Sequence, residues 1–194
     1  GRTSLRVWWQ FHRDEIALKL INTSGSMELE DWVHLLRFDS NYGVFNYPIK
    51  VETSQKKADV TDDNPILGNI EIAGHKIIVT AQRDPSKIPW AKYQVETVIE
   101  STGAFTKAEK AKQHLEAGAK KVIISAPGKG EGMETVVIGV NQPDQKATII
   151  SNASCTTNCV APVTQIIHSK FGILKAMMTT VHSSHGERMV YMKG

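Results

Sequence analysis

Segments typical of strands and of helices alternate along this sequence, and no other feature constrains the fold as strongly. A charged helix is predicted over residues 107–117 and ends at Gly118, where a left-handed residue is favoured. Further helices are predicted over 3–13 and 28–38, and an antiparallel hairpin around 73–75. Strands are predicted over residues 16–21, 95–99, 122–125, 135–140, 148–151 and 174–181. This order favours the α/β class, in which crossover helices join parallel strands.

Small polar or glycine-bearing turns follow four of the predicted strands. They begin at Asn22-Thr23, at 101–103, at 125–128 and at Ser151. In a parallel sheet the carboxyl ends of the strands lie at one edge, where ligands bind. Any one of these segments alone is interpreted as a polar turn, but the four together predict a cofactor crevice.

The segment after the predicted strand 148–151 carries the chemistry. It enters a helix, and Cys155 is predicted in the first turn, with Ser154 before it and Thr156 after it. Unpaired backbone N–H groups and the helix dipole favour a thiolate there, and the same groups could stabilise an oxyanion. The two hydroxyls suit a phosphate or a carbonyl oxygen. Cys155 is therefore the candidate nucleophile.

The second cysteine, Cys159, lies one turn further along this helix. It is interpreted as a small buried hydrophobe. A metal site would need two further ligands, and the sequence offers none at metal-binding spacing. No metal site is predicted.

A nucleophilic cysteine needs a base, and His182 follows the strand predicted over 174–181. His185 is a second candidate. A Cys–His pair serves acyl transfer, as in cysteine proteases, or aldehyde oxidation through a thiohemiacetal. The four polar turns favour aldehyde oxidation, because a protease has no use for a dinucleotide site.

Composition excludes several partners. The 23 Lys and Arg residues are scattered and stand against 20 Asp and Glu, so no nucleic-acid surface is indicated. The apolar runs are too short to span a bilayer, so no membrane partner is expected. With two cysteines in 194 residues, a reducing, cytoplasmic location is predicted.

Residues 151–159, SNASCTTNC, resemble the active-site signature of the phosphorylating glyceraldehyde-3-phosphate dehydrogenase family. Residues 179–183, TTVHS, resemble the stretch that holds its base histidine, and the 27 residues from Cys155 to His182 are the spacing in that family. Five earlier stretches also resemble that family and occur in the same order as in its members: HLLRFDS (34–40), PW (89–90), ESTGAF (100–105), AGAKKV (117–122) and APGKG (126–130).

The resemblance implies two domains. Residues 1–154 would form a Rossmann-like dinucleotide-binding domain whose first strand is missing. Residues 155–194 would begin an α+β catalytic domain, incomplete at its C-terminal end. It also implies a homotetramer for the complete enzyme. The 194 residues alone are expected to be inactive and poorly soluble.

The resemblance also implies the reaction. Cys155 would attack the aldehyde of glyceraldehyde 3-phosphate with His182 as base, and hydride would pass to NAD or NADP. Inorganic phosphate would then release 1,3-bisphosphoglycerate from the cysteine thioester. Ser154 and Thr156 match residues that bind substrate or phosphate, and His185 stands where a phosphate-binding Thr is common.

Six residues are implied in cofactor binding. At Thr23 the family usually has an Asp that accepts hydrogen bonds from the adenosine ribose. A carboxylate there repels a 2′-phosphate, so its replacement predicts use of NADP as well as NAD. Thr23 could still bond a ribose hydroxyl of NAD. The other five are Arg2, Asn22, Arg83, Thr102 and Ser125.

Two alternatives stay open. A sister enzyme that oxidises erythrose 4-phosphate shares the Ser-Cys-Thr-Thr motif, although residues 125–130 resemble the triose-phosphate enzyme more. The chain could also be non-enzymatic, either an inactive fragment or a binding module.

Overall fold

The structure, a computed structural model, describes residues 1–182, which fall into two compact units, one over Gly1–Val95 and one from Glu96 onward. In the first unit, helix α1 (Arg2–Val7) runs on into a π-helical stretch, Trp8–His12, and α2 spans Leu29–Arg37. Its strands are β1 (Leu20–Thr23), β2 (Phe38–Asp39), β3 (Gly43–Val44), β4 (Ile49–Thr53), β5 (Ile66–Ile72) and β6 (His75–Ala81). Short 3-10 turns span Lys57–Asp59 and Pro85–Lys87.

The main sheet of the first unit is mixed and has the order β1-β6-β5-β4. Only β1 and β6 are parallel, with Thr23 opposite Ala81, so their carboxyl ends lie side by side. The β5–β6 hairpin turns at Ala73 and Gly74, both with positive φ, as tight hairpins require. The antiparallel hairpin predicted around 73–75 is confirmed by β5 and β6, and β4 also pairs antiparallel with β5, so this sheet is mixed.

The core of the first unit is continuous and packs α2 against one face of the sheet. Leu29 and Leu36 of α2 are fully buried against Ile70, Ile77 and Val79 of the hairpin strands. The helix repeats these leucines on one side and keeps charged residues on the other, which is the pattern that buries a single face. The sequence prediction of a helix over 28–38 is confirmed.

The second unit contains a four-stranded sheet and two helices, namely β7 (Thr97–Glu100), α3 (Ala108–Glu116), β8 (Lys121–Ile124), β9 (Glu134–Thr135), β10 (Ile149–Ser151) and α4 (Cys155–Phe171). The sheet is parallel throughout, in the order β7-β8-β10-β9. Helix α3 connects β7 to β8 and ends before Gly118, whose φ of 103° is left-handed, as predicted. A small core forms where α3 covers β8 and β10, and its members are Ala111, Val122, Ile124 and Ile149.

Two predicted strands differ from the structure. The strand predicted over 135–140 is reduced to Glu134–Thr135, and residues 174–181 form no strand. Leu174, Met177 and Val181 are almost fully exposed. Apolar residues alone do not make a strand, which needs a neighbouring backbone to hydrogen-bond.

No helix within residues 1–182 has the length and apolar character that a bilayer crossing needs.

Candidate active site

At the carboxyl ends of β1 and β6, the side chain of Asn22 joins the two strands. Its Nδ2 donates to the Gln82 carbonyl at 2.8 Å, and its Oδ1 accepts from Thr80 Oγ1 and from the Gln82 amide, each at 3.0 Å. An amide with three bonds to the neighbouring strand keeps one orientation. The first predicted cofactor residue is therefore rigidly held at the sheet edge.

Thr23 is the last residue of β1, and it carries a hydroxyl at the position where the resemblance implies an Asp carboxylate in the family. Its Oγ1 donates to the Thr80 carbonyl at 3.1 Å and accepts from the Gly25 amide at 3.4 Å. Arg83 lies at the same edge and donates from Nε to the Ser24 carbonyl at 3.1 Å. Three of the predicted cofactor residues, Asn22, Thr23 and Arg83, are thus brought together within the first unit.

Arg2 lies elsewhere in the first unit. Its Nη1 donates to the Leu35 carbonyl at 3.0 Å, so that the guanidinium lies against the last turn of α2. Cations are favoured at this end of a helix because the carbonyls there carry partial negative charge. The contact gives Arg2 a structural partner, and its cofactor role stays a prediction.

In the second unit, a buried carboxylate organises the turn after β7. Glu100 is only 4% exposed, and its Oε1 accepts from the Thr102 amide at 2.6 Å and from Thr102 Oγ1 at 2.5 Å. Its Oε2 lies 3.1 Å from Nε2 of His114, which is 2% exposed. Sequence reasoning missed Glu100; a charged residue that closes the apolar strand β7 was the available signal.

Burial by itself raises the pKa of Glu100, but the hydrogen bonds from His114 and Thr102 outweigh burial and bring the pKa below its ordinary value of 4.5. The carboxylate is consequently charged at neutral pH and acts only as an acceptor. Thr102 is held by this acceptor through both its amide and its hydroxyl.

The turns after β7 and β8 lie side by side. The Ser125 amide donates to the Glu100 carbonyl at 3.0 Å, which continues the parallel pairing of β7 and β8 past the strand ends. Thr102 and Ser125, the two predicted cofactor residues of this unit, are both exposed at this edge. Beside them the buried Ser101 Oγ has no hydrogen-bond partner within residues 1–182. An edge with exposed hydroxyls and an unsatisfied one fits a polar ligand such as a dinucleotide.

Cys155 is the first residue of α4, as predicted, and its side chain is exposed. Ser154 is the N-cap, and its Oγ accepts from the Thr157 amide at 3.0 Å. Cys155 Sγ lies 4.0 Å from Thr156 Oγ1. Three predicted site residues, Ser154, Cys155 and Thr156, thus occupy one helix start, where backbone N–H groups favour an anion.

The predictions for Cys159, His182 and His185 have different outcomes. Cys159 is exposed, so the expectation of a buried cysteine is wrong; α4 buries no residue. His182 is exposed and lies outside any helix or strand, and its pairing with Cys155 stays a prediction. His185 lies outside the described residues. Within 1–182, no three His, Cys, Asp or Glu side chains cluster as metal ligands would.

Comparison with protein families gives two matches. Residues 1–108 match the glyceraldehyde 3-phosphate dehydrogenase NAD binding domain, and residues 154–193 match the C-terminal domain of the same family. The first match alone covers more than half of the chain.

Individual relatives agree. Glyceraldehyde-3-phosphate dehydrogenase A, chloroplastic, from Scenedesmus vacuolatus is 42% identical over 97% of this chain and 56% of its own length. The enzyme from Geobacillus stearothermophilus is 48% identical over 81% of this chain and 43% of its own length. Glyceraldehyde-3-phosphate dehydrogenase B, chloroplastic, from Pisum sativum is 41% identical over 97% and 39%. The chain spans about half the length of these relatives.

The predicted cytoplasmic location is contradicted by these relatives, several of which are named as chloroplast proteins. The prediction rested on cysteine content, which reports the redox state of a compartment and does not distinguish one reducing compartment from another.

Two domain matches in family order, and relatives more than 40% identical over most of its residues, show that the chain contains the NAD-binding domain and the start of the C-terminal domain, and that it belongs to the glyceraldehyde 3-phosphate dehydrogenase family.

Proposed function

We propose that the complete protein is an oxidoreductase that converts glyceraldehyde 3-phosphate and inorganic phosphate to 1,3-bisphosphoglycerate with NAD or NADP. The observation that carries this proposal is the exposed Cys155 at the capped start of α4, in a chain of this family. An exposed thiol at a helix start is positioned to react with a substrate, whereas a sealed thiol could not.

The chemistry begins at the Cys155 sulfur. The thiolate adds to the aldehyde carbon, and the carbonyl oxygen takes the negative charge near the N–H groups of the first helical turn. His182 takes the thiol proton and returns it to the oxygen, which completes a thiohemiacetal. When bound, the nicotinamide would supply a hydride acceptor. His182 takes the hydroxyl proton as the hydride leaves, and the carbon bound to sulfur becomes a thioester carbonyl.

Phosphate completes the cycle. One of its oxygens attacks the thioester carbonyl, the carbon–sulfur bond breaks, and the acyl phosphate leaves with Cys155 restored as a thiolate. Ser154, Thr156 and His185 are the residues proposed to bind the substrate and the attacking phosphate. The Ser154 hydroxyl is partly engaged already, because it caps the helix.

The residues proposed to bind the cofactor are Arg2, Asn22, Thr23, Arg83, Thr102 and Ser125. Thr23 presents no carboxylate to a 2′-phosphate, which supports use of both NAD and NADP. Strict use of NAD by the complete enzyme would contradict this part of the proposal.

Domain limits and assembly belong to the same proposal. The dinucleotide-binding domain is proposed to end at Ser154 and the catalytic domain to begin at Cys155, which the match of residues 154–193 to the C-terminal domain supports. The complete enzyme is proposed to be a homotetramer, and the 194 residues alone to be inactive.

The test replaces each cysteine in turn in the complete enzyme. Cys155→Ser is expected to lower kcat for glyceraldehyde 3-phosphate by at least about 10³-fold, because the nucleophile is lost. Cys159→Ser, one turn away and equally exposed, is the matched control and is expected to keep its activity. Each assay is run with both nicotinamides.

Equal activity of the Cys155→Ser variant would overturn the mechanism. A higher kcat/KM for erythrose 4-phosphate than for glyceraldehyde 3-phosphate would assign the sister activity in place of this one. Absence of turnover with either aldehyde would leave the binding-module alternative.

A further inference from the structure

The hydroxyl of Ser151, at the end of β10, is fully buried and makes three hydrogen bonds. Its Oγ accepts from the Gly128 amide at 2.9 Å and from the Ala153 amide at 3.2 Å, and donates to the Ala126 carbonyl at 2.9 Å. A serine hydroxyl has one donor and two acceptor positions, and all three are used.

All three bonds go to two turns that carry proposed site residues. Ala126 and Gly128 belong to the turn that begins with Ser125, and Ala153 lies two residues before Cys155. Space at Gly128 is limited on two sides, since a Cβ there would lie 2.3 Å from Met133 Sδ and 3.0 Å from Ser151 Cβ. One buried oxygen therefore ties the turn after β8 to the turn that leads into α4.

The second of these turns is strained. Ala153 has a φ of 58°, a left-handed conformation that costs energy for a residue with a Cβ and is kept only where other contacts enforce it. The bond from the Ala153 amide to Ser151 is one such contact. Asn158 supplies others, because its Nδ2 donates to the Asn152 carbonyl at 2.7 Å and the Ser154 carbonyl at 2.9 Å.

Within residues 1–182, the contacts that fix the start of α4 are hydrogen bonds. Helix α4 buries none of its residues within the described chain, and so its first turn is held by the polar contacts that precede it. A displacement of the turn 152–154 would move the Cys155 sulfur directly.

We propose that Ser151 is a positioning residue: its hydroxyl couples the turn of Ser125 to the turn of Ala153 and thereby sets the place of the Cys155 thiol. The catalytic consequence rests on the proposed function, but the coupling itself does not. Ser151 touches neither substrate nor cofactor in this assignment and acts through the two backbone turns.

The test compares Ser151→Ala with Ser169→Ala in the complete enzyme. The control removes a hydroxyl from the far end of α4, where Ser169 Oγ bonds only the Ile166 carbonyl among the described contacts. Ser151→Ala is expected to lower kcat by about tenfold or more while KM changes less than about twofold, since misplaced reacting groups lose rate before affinity. Ser169→Ala is expected to leave both unchanged.

Two readouts do not depend on activity. Alkylation of Cys155 by iodoacetamide, measured against Cys159 in the same molecule, is expected to slow by on the order of threefold in Ser151→Ala. Amide hydrogen exchange is expected to rise at Gly128 and Ala153 together, because they lose a common acceptor. An unchanged alkylation ratio, or faster exchange at only one of the two amides, would overturn the coupling.

A second variant covers the case in which Ser151→Ala does not fold. Ala153→Gly accepts the left-handed conformation without strain and widens the conformations open to the turn. It is expected to lower the Cys155 to Cys159 alkylation ratio by a smaller factor, and an unchanged ratio would contradict the proposal. If the ratio falls but the enzyme turns over no aldehyde, the coupling stands and the proposed function fails.

Discussion

Helices α3 and α4 both follow a strand of the same sheet, yet different forces hold them. Within residues 1–182, helix α3 buries Ala108, Ala111 and His114, whereas α4 buries no residue over a length of 17. Apolar side chains of α4 such as Ile166 and Phe171 are 63% and 85% exposed. One helix is therefore held along its face and the other at its first turn.

The difference bears on where reactive groups are placed. In α3 the buried His114 lies beside Glu100, and Glu100 holds the exposed Thr102 turn by hydrogen bonds. In α4 the N-cap Ser154 and the buried Ser151 hold the helix start and leave the Cys155 thiol exposed. Polar contacts at the sheet edge thus position both segments, while packing supports only one.

The largest effect is expected from breaking the support of α3. His114→Ala leaves the Glu100 carboxylate buried with fewer donors, and removal of one partner from a buried pair costs about 3–5 kcal/mol. Denaturant unfolding followed by circular dichroism measures the loss. His12→Ala is the matched control, because the His12–Glu15 pair is exposed at 46% and 74% and is expected to contribute less than about 1 kcal/mol.

His114→Ala is also expected to change how the free energy of unfolding depends on pH at acid pH, which is called the acid limb below. Because the pKa of Glu100 is lowered in the fold, its ionisation stabilises the protein fully above about pH 4.5 and ceases to do so as the pH falls through the lowered value. His114→Ala removes a donor that lowers the pKa of Glu100 while burial continues to raise it, so the folded pKa moves up and the stability lost below about pH 4.5 is expected to be smaller. An acid limb identical to that of the unmodified protein would contradict this account.

Two substitutions of an isoleucine, one under α3 and one on α4, test whether packing supports the two helices differently. Ile124→Ala opens a cavity under α3, where the side chain is 1% exposed, and is expected to cost about 2–5 kcal/mol. Ile166→Ala on α4 removes the same atoms from a surface and is expected to change the free energy of unfolding by less than about 0.5 kcal/mol. Equal losses would show that α4 is packed after all.

A smaller effect than that of Ile124→Ala is expected at the cap of α4. Ser154→Ala removes the acceptor of the Thr157 amide, and loss of such a cap costs about 0.5–2 kcal/mol of helix stability. Amide exchange in the first turn of α4 measures this locally, and amides of α3 in the same sample provide the reference. If the first turn of α4 exchanges no faster than before, the cap does not hold it.

Local patterns were sufficient for much of the fold. The helices over 28–38 and 107–117 and the hairpin around 73–75 form as predicted, because spacing of apolar residues and turn chemistry act within a few residues. The strand predicted over 174–181 does not form, because a strand depends on partners that its own residues cannot supply. Family membership followed from motifs in the same manner and is confirmed.

The candidate site also contains features that the sequence predicted and features that only the structure showed. The position of Cys155 in the first turn of a helix was determined by the sequence alone, whereas the capping role of Ser154 came from the structure. The partnership of Glu100 with His114, and of Ser151 with Gly128 and Ala126, was decided only by the tertiary structure. Those contacts join residues 14 to 25 positions apart across a buried sheet edge, and burial there is what makes a lone carboxylate or hydroxyl require a partner.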